Sequence, residues 1–191
     1  MSNIAVATTS QLAADAADEV AAAGGNAVDC ALAASLMTMN TEPGVCALAG
    51  SAFVTVWKDG GDPVSIDGNV AVPGLGLSVE ERGHGTFPVS MEYGGGIRTL
   101  VGPGSVSVPG SLAALELAWK RFGAANWATL FAPTVRATRN GFPLSAACHY
   151  YLGYSGRSVF GRSTDGFAAL HEADGTLKAA GSNIIVPGLS D

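Results

Sequence analysis

Gly24-Gly25-Asn26-Ala27-Val28-Asp29-Cys30-Ala31-Leu32-Ala33-Ala34-Ser35-Leu36-Met37-Thr38-Met39 joins two helices with almost no linker. Gly24 ends the first, because glycine accepts the left-handed conformation that closes a helix. Asn26 is a good N-cap for the second. Asp29 falls at its third helical position, near the positive end of the helix dipole. From Ala27 to Met39 the second helix is apolar on nearly every side. Such a helix belongs in an interior, and its alanines let a neighbour approach closely.

Upstream, Ile4 to Thr8 alternates as a short strand, and Ser10 can cap the helix whose stripe is Leu12, Ala16, Val20 and Ala23. Downstream, Gly50 to Trp57 reads as a strand. Phe53 lies on one face and Val54 and Val56 on the other, the pattern of a strand covered on both sides. A turn from Lys58 to Pro63 leads to a hairpin partner at Val64 to Asp67. Val70 to Ser107 reads as irregular, with Gly94-Gly95-Gly96 inside it. Loops of that length are usually functional or packed on a partner. A helix then starts near Pro109 or Gly110, with Leu112, Leu115, Trp119 and Phe122 as its stripe and Gly123 as its cap. Asn126 caps a fourth segment, Pro133 restarts it and Gly141 closes it. Ser145 caps one more helix, through about Leu152. The tail from Gly153 is loop-like, with a strand at Asn183 to Val186. Residues 1–191 thus read as a single mixed αβ domain with too few strands for a complete sheet.

Composition narrows the function. Apolar residues make up 48% of the chain and charged residues 14%, which points to broad hydrophobic faces that another chain can cover. With 10 basic residues and a net charge of -6, the chain lacks the cation density that nucleic acid or an anionic membrane needs. No apolar stretch is long enough to span a bilayer. Met1 to Ser10 does not read as a secretory signal, so the expected compartment is the cytoplasm, with the periplasm or export as the alternative if a signal has been removed. Cys30, Cys46 and Cys148 form no C-x-x-C, and they read as buried free thiols. G-x-S-x-G, H-E-x-x-H and the P-loop pattern do not occur, and Gly74-Leu75-Gly76 opens no helix. His84, His149 and His171 are scattered and read as surface or loop residues. No metal or cofactor is expected.

The more specific signal is a resemblance. Gly24-Gly25-Asn26-Ala27-Val28-Asp29 resembles the G-G-N-A-V-D-A-A segment of γ-glutamyltransferases. Glu42-Pro43, leading through Ala49-Gly50-Ser51-Ala52 to Phe53, resembles the next landmark. Val106-Ser107-Val108-Pro109-Gly110 is similar to the family's V-P-G helix start. Phe122-Gly123, Trp127, Ala132-Pro133 and Arg139-Asn140-Gly141-Phe142-Pro143-Leu144-Ser145 follow in family order. Together these landmarks run from about residue 8 to about residue 147.

The resemblance implies an αββα sandwich of the N-terminal-nucleophile hydrolase type, incomplete in this chain. It also implies that the chain is the N-terminal portion of a large subunit and needs a second chain to complete the sheets. That partner is a small subunit whose N-terminal threonine attacks an amide, with its own α-amino group as base. No threonine here sits in a T-T-x-H context, so no catalytic residue is expected in this chain. The stretch from Gly181 to Asp191 resembles an interior part of the large subunit. The family's first hairpin ends in a D-F-R-E-T-A-P-like stretch whose arginine holds the substrate carboxylate. Here the ungapped match is Asp67-Gly68-Asn69-Val70-Ala71-Val72-Pro73. Gly68 and Asn69 are therefore the candidate substrate-binding residues. Asn69 cannot give the bidentate charged contact of a guanidinium, so the expected acyl group differs from γ-glutamyl. Two other readings of Asn69 and of the chain stand beside this one. Asn69 can be a turn asparagine without substrate contact, and the chain can be a non-catalytic family fragment acting as a binding module. Ala47 and Ala49 stand where the family has glycines, which restricts that loop.

Overall fold

The structure, a computed structural model, describes residues 4–191. Among them the order is α1 (Gln11–Ala22), α2 (Ala27–Thr41), β1 (Ala52–Val56), β2 (Val64–Gly68), β3 (Phe87–Met91), β4 (Ile97–Val101), α3 (Ser111–Phe122), α4 (Trp127–Asn140), β5 (Phe142–Pro143), α5 (Ala146–Ser155), α6 (Thr164–Leu170) and β6 (Asn183–Ile184). The strands pair only in antiparallel twos, β1 with β2, β3 with β4 and β5 with β6. No described helix is long and apolar enough to cross a membrane.

The α1–α2 corner explains the opening motif. Gly24 has φ of +92°, which turns the chain out of α1. Gly25 lies so close to α1 that a Cβ there would sit 2.6 Å from Val20 Cγ1. Asn26 Oδ1 accepts from the N–H of Val28 (2.9 Å) and of Asp29 (3.1 Å), while Asp29 Oδ2 accepts from the N–H of Asn26 (2.9 Å). This is a reciprocal capping box. The same Asp29 oxygen accepts from the N–H of Ala124 (2.9 Å) and of Ala125 (3.0 Å), and Asn26 Nδ2 donates to Phe122 O (2.8 Å). Asp29 is wholly buried, so the motif is a polar clamp that fastens the end of α3 to the start of α2.

Around that clamp, buried residues of α1, α2, α3 and α4 form the main core, which includes Val20, Leu32, Leu36, Leu115 and Leu130. Ile66 of β2 joins it. The β1–β2 hairpin lies on α3, with Gly68 beneath the helix. A Cβ at Gly68 would sit 2.5 Å from Ala114 Cβ and 2.7 Å from Gly110 O. The N–H groups of Gly110 and Ser111 both donate to Gly50 O (3.1 and 3.0 Å), and Ser111 Oγ donates to Leu48 O. The start of α3 is thereby tied to the loop that enters β1. A second cluster joins β5, α5, α6 and β6 through Phe142, Leu144, Cys148, Leu152, Leu170 and Ile184.

Several local expectations change. Residues 4–8 form no ladder, because no described strand lies beside them to accept and donate. Phe53 is 66% exposed, so only one face of the first hairpin is covered. The segment from Val70 to Ser107 contains the β3–β4 hairpin, turned by Gly94, Gly95 and Gly96, all at positive φ. Leu112 is exposed, and the buried stripe of α3 runs instead through Ser111, Ala114, Leu115 and Ala118. Pro133 lies inside one continuous α4, which gives up a single intrahelical bond there. The tail holds α6, capped by Ser163 Oγ accepting from Gly166 N (3.3 Å). His171 is buried against Phe167, its ring stacked at 3.8 Å, and is not a surface residue. The strand expected over Asn183 to Val186 is the two residues of β6.

Candidate functional site

The β1–β2 register sets Ala52 against Gly68 and Phe53 against Asp67. Side chains alternate along a strand, so Ala52, Val54, Ile66 and Gly68 turn toward the helices. Phe53, Thr55, Ser65 and Asp67 lie on the opposite face, where Ser51 and Asn69 meet just beyond the ladder. That face is open. Thr55 and Ser65 are joined on it by a hydroxyl–hydroxyl bond of 2.9 Å.

At its end lies a polar cluster. Asp67 Oδ1 accepts from the N–H of Asn69 (2.8 Å), an Asx-type turn that fixes the backbone leaving β2. Asn69 Oδ1 accepts from Ser51 Oγ (2.9 Å) and from the N–H of Val70 (3.0 Å). The same Val70 N–H is shared with Ser51 Oγ (3.1 Å). All three side chains are exposed. The chain then pairs Ala71 with Val108, which returns it beside the start of α3. Asp67 makes no ion pair among the described residues, where the ion pairs are Lys120–Glu116 (2.6 Å) and Arg136–Glu19. The cluster therefore carries one negative charge and no cation.

The two sequence-derived site residues have different surroundings. Asn69 faces the open side. Gly68 is buried, and its lack of a side chain is what lets α3 cross β2. A larger side chain at that point has no room with α3 in this position. Sequence reasoning did not single out Ser51 or Asp67 as members of this cluster. The spacing of a strand pair alone could have placed Ser51 opposite Asn69, once the register was known.

Two other features carry cavities or thiols outside this face. A groove of about 480 Å³ runs between residues 4–9 and the outer face of α2, lined by Ala27, Ala31, Ala34 and Thr38 and reaching Cys46. Its lining has no carboxylate, imidazole or ammonium group. Cys148, on α5, points its Sγ at Glu42 Oε2 across 3.7 Å. Burial, with the Glu42 carboxylate adding to it, pushes that thiol from 9.0 up to about 11. Burial likewise raises Cys30 and Cys46. Nucleophilic thiols have lowered values, so the raised ones here disfavour the thiolate.

A sequence profile described as gamma-glutamyltranspeptidase matches residues 13–191. Glutathione hydrolase proenzyme 1 of Schizosaccharomyces pombe is 31% identical over 142 residues, which make up 74% of this chain and 21% of that protein. Glutathione hydrolase 2 of Arabidopsis thaliana is 29% identical over 168 residues, 88% of this chain and 27% of that protein. The solved gamma-glutamyltranspeptidase from Pseudomonas nitroreducens, complexed with L-DON, superposes with a TM-score of 0.75 at 28% identity and covers 97% of this chain and 52% of that one. The chain thus spans about a quarter of the length of these curated relatives and about half of the solved chain.

Proposed function

Because the chain belongs to the gamma-glutamyltranspeptidase family and folds as part of its N-terminal-nucleophile hydrolase architecture, we propose that it contributes one wall of the acyl pocket of an amidohydrolase or acyltransferase. A second chain carries the attacking N-terminal threonine and completes the sheets over the open face of β1–β2. The reaction is acyl transfer. The threonine hydroxyl attacks an amide carbonyl and its proton goes to the α-amino group of the same residue, while backbone N–H donors hold the oxyanion that forms. Collapse of that intermediate breaks the C–N bond, and the α-ammonium returns the proton to the departing amine. The acyl-enzyme passes its acyl group to water or to an amine. This chain's own residues select the acyl group.

The observation that carries the altered selectivity is the Ser51–Asn69–Asp67 cluster, which holds a carboxylate and no cation. A substrate carboxylate placed there meets a neutral amide beside a like charge. Like charges in proximity are unfavourable, and the bidentate gain of a guanidinium is absent. Asn69 thus selects for an acyl group without that carboxylate, and Gly68 sets where Asn69 stands.

The test begins with intact mass of the purified protein under denaturing conditions, where a second chain starting with threonine is expected. That protein is then assayed on γ-glutamyl and on uncharged acyl anilides. The uncharged anilides are expected to give the higher kcat/KM. Asn69→Arg is expected to raise kcat/KM on the γ-glutamyl anilide by about 10-fold or more. Finding this chain alone, with no threonine-led partner, would replace the enzyme by a binding module.

A further inference from the structure

The Asn69 carboxamide has two ends, and the chain itself decides which one faces outward. The N–H of Val70 can only donate, and it points at both Asn69 Oδ1 (3.0 Å) and Ser51 Oγ (3.1 Å). An amide nitrogen in the place of Oδ1 would set N–H against N–H. The Ser51 proton is then left for Asn69 Oδ1 at 2.9 Å. Both lone pairs of that oxygen are used, and the hydroxyl both accepts and donates. Asn69 Nδ2 has no hydrogen-bond partner among the described residues and lies on an exposed side chain. Its two N–H groups are free to bind.

We infer that Ser51 is a positioning residue that locks Asn69 with its amide N–H groups outward, and that the acyl donor carries an uncharged hydrogen-bond acceptor, a carboxamide or ester carbonyl, where γ-glutamyl substrates carry a carboxylate. This rests on the reading of Asn69 as an acyl-pocket residue. Asn69 Nδ2 offers donors only, so this group recognises an acceptor, and the Asp67 carboxylate in the same turn disfavours a negatively charged one. The cluster has no positive charge, and the unpaired Asp67 carboxylate is held within the same turn through the N–H of Asn69 (2.8 Å). A neutral acceptor keeps the hydrogen bonds and escapes the repulsion. Without the Ser51 hydroxyl, Asn69 Oδ1 loses one of its two donors, and the carboxamide is free to rotate away from Val70.

The experiment uses the processed protein containing this chain and two probe substrates with the same leaving group. They are the γ-(p-nitroanilide) of L-glutamate and its α-carboxamide, which differ only in carboxylate against carboxamide. Wild type is expected to favour the carboxamide by about 10-fold or more in kcat/KM. Ser51→Ala is expected to bring that ratio down to about 3-fold or less, with the loss in KM rather than kcat. Ser51→Thr, which keeps the hydroxyl, is expected to restore the ratio. If wild type favours the carboxamide and Ser51→Ala leaves the ratio untouched, the positioning role is wrong while the altered selectivity survives. If wild type favours the carboxylate probe, or turns over neither, both the role and the selectivity fall.

Discussion

Asp29 is wholly buried, and its three hydrogen bonds are all to backbone N–H groups. One carboxylate oxygen accepts from Asn26, Ala124 and Ala125, while the other has no partner. Asp29→Ala leaves three backbone N–H groups without an acceptor and is expected to cost about 3–5 kcal/mol. A fall in the denaturant midpoint at unchanged m-value checks this, and a shift within error would mean that water replaces the carboxylate. The sequence placed Asp29 at a helix start but hid its partners, because a capping box is local and Ala124 lies 95 residues away. Asn69 shows the same limit. Its identity was legible as a departure from the family stretch, whereas its partner Ser51 became visible only with the register of the hairpin. At Cys148 the fold favours the neutral thiol, raising it from 9.0 to about 11. Below pH 9 both states are protonated and this group gives no pH dependence. Between pH 9 and about 11 the unfolded chain loses the proton first, so stability falls as pH rises. Melting curves across that range are expected to show a decline that is shallower in Cys148→Ala, and parallel curves would remove the thiol from the account.

Helix α4 is amphipathic, yet its buried face includes a hydroxyl that bonds nothing. Thr134 Oγ1 is buried without a partner, in contrast to Thr138 Oγ1, which donates to Thr134 O (3.0 Å). Thr134→Val replaces the hydroxyl by a methyl of similar shape. It is expected to raise stability by about 1 kcal/mol, read as a higher melting temperature, and a lower one would show that the hydroxyl has a partner in solution. Elements with caps and long apolar stripes were legible. Ser10, Asn26, Asn126 and Ser145 each cap the helix that follows. Pro133 misled because a proline that starts a helix and one that interrupts it look alike in sequence, and here packing overrides the lost bond. The β3–β4 hairpin was hidden by its surroundings. Phe87, Val89 and Met91 do alternate with Pro88 and Ser90, but glycines and prolines on either side read as loop. The interval after Gly153 has only short elements, and α6 is seven residues long, too brief for a helical period to register.

Viewed as one body, the molecule buries a helical core and leaves one sheet face bare. Phe53 is 66% exposed and Trp57 is 76% exposed, with its indole N–H donating to Gly61 O (2.8 Å). Trp119 and Trp127 instead pack together at 5.2 Å between ring centres. The isolated chain is therefore expected to have a red-shifted emission component, quenched by iodide and absent in Trp57→Phe. Assembly with the proposed second chain should remove that quenching. Iodide quenching that persists in the assembled protein would leave this face in water and refute the covered-sheet reading.

The Asp29 clamp also has a consequence in time. Every ladder among the described residues joins near neighbours except β5–β6, so hairpins and the α1–α2 corner can form quickly and alone. The bond from Asp29 to Ala124 must instead close a span of 95 residues, which is entropically late. Until it closes, the C-terminal end of α3 is held to α2 by packing and by the Asn26 bond to Phe122 O, without its buried carboxylate contacts. The clamp thus acts as the latch of the fold. Asp29→Ala is therefore expected to speed unfolding far more than it slows folding, as measured by the two arms of a chevron plot.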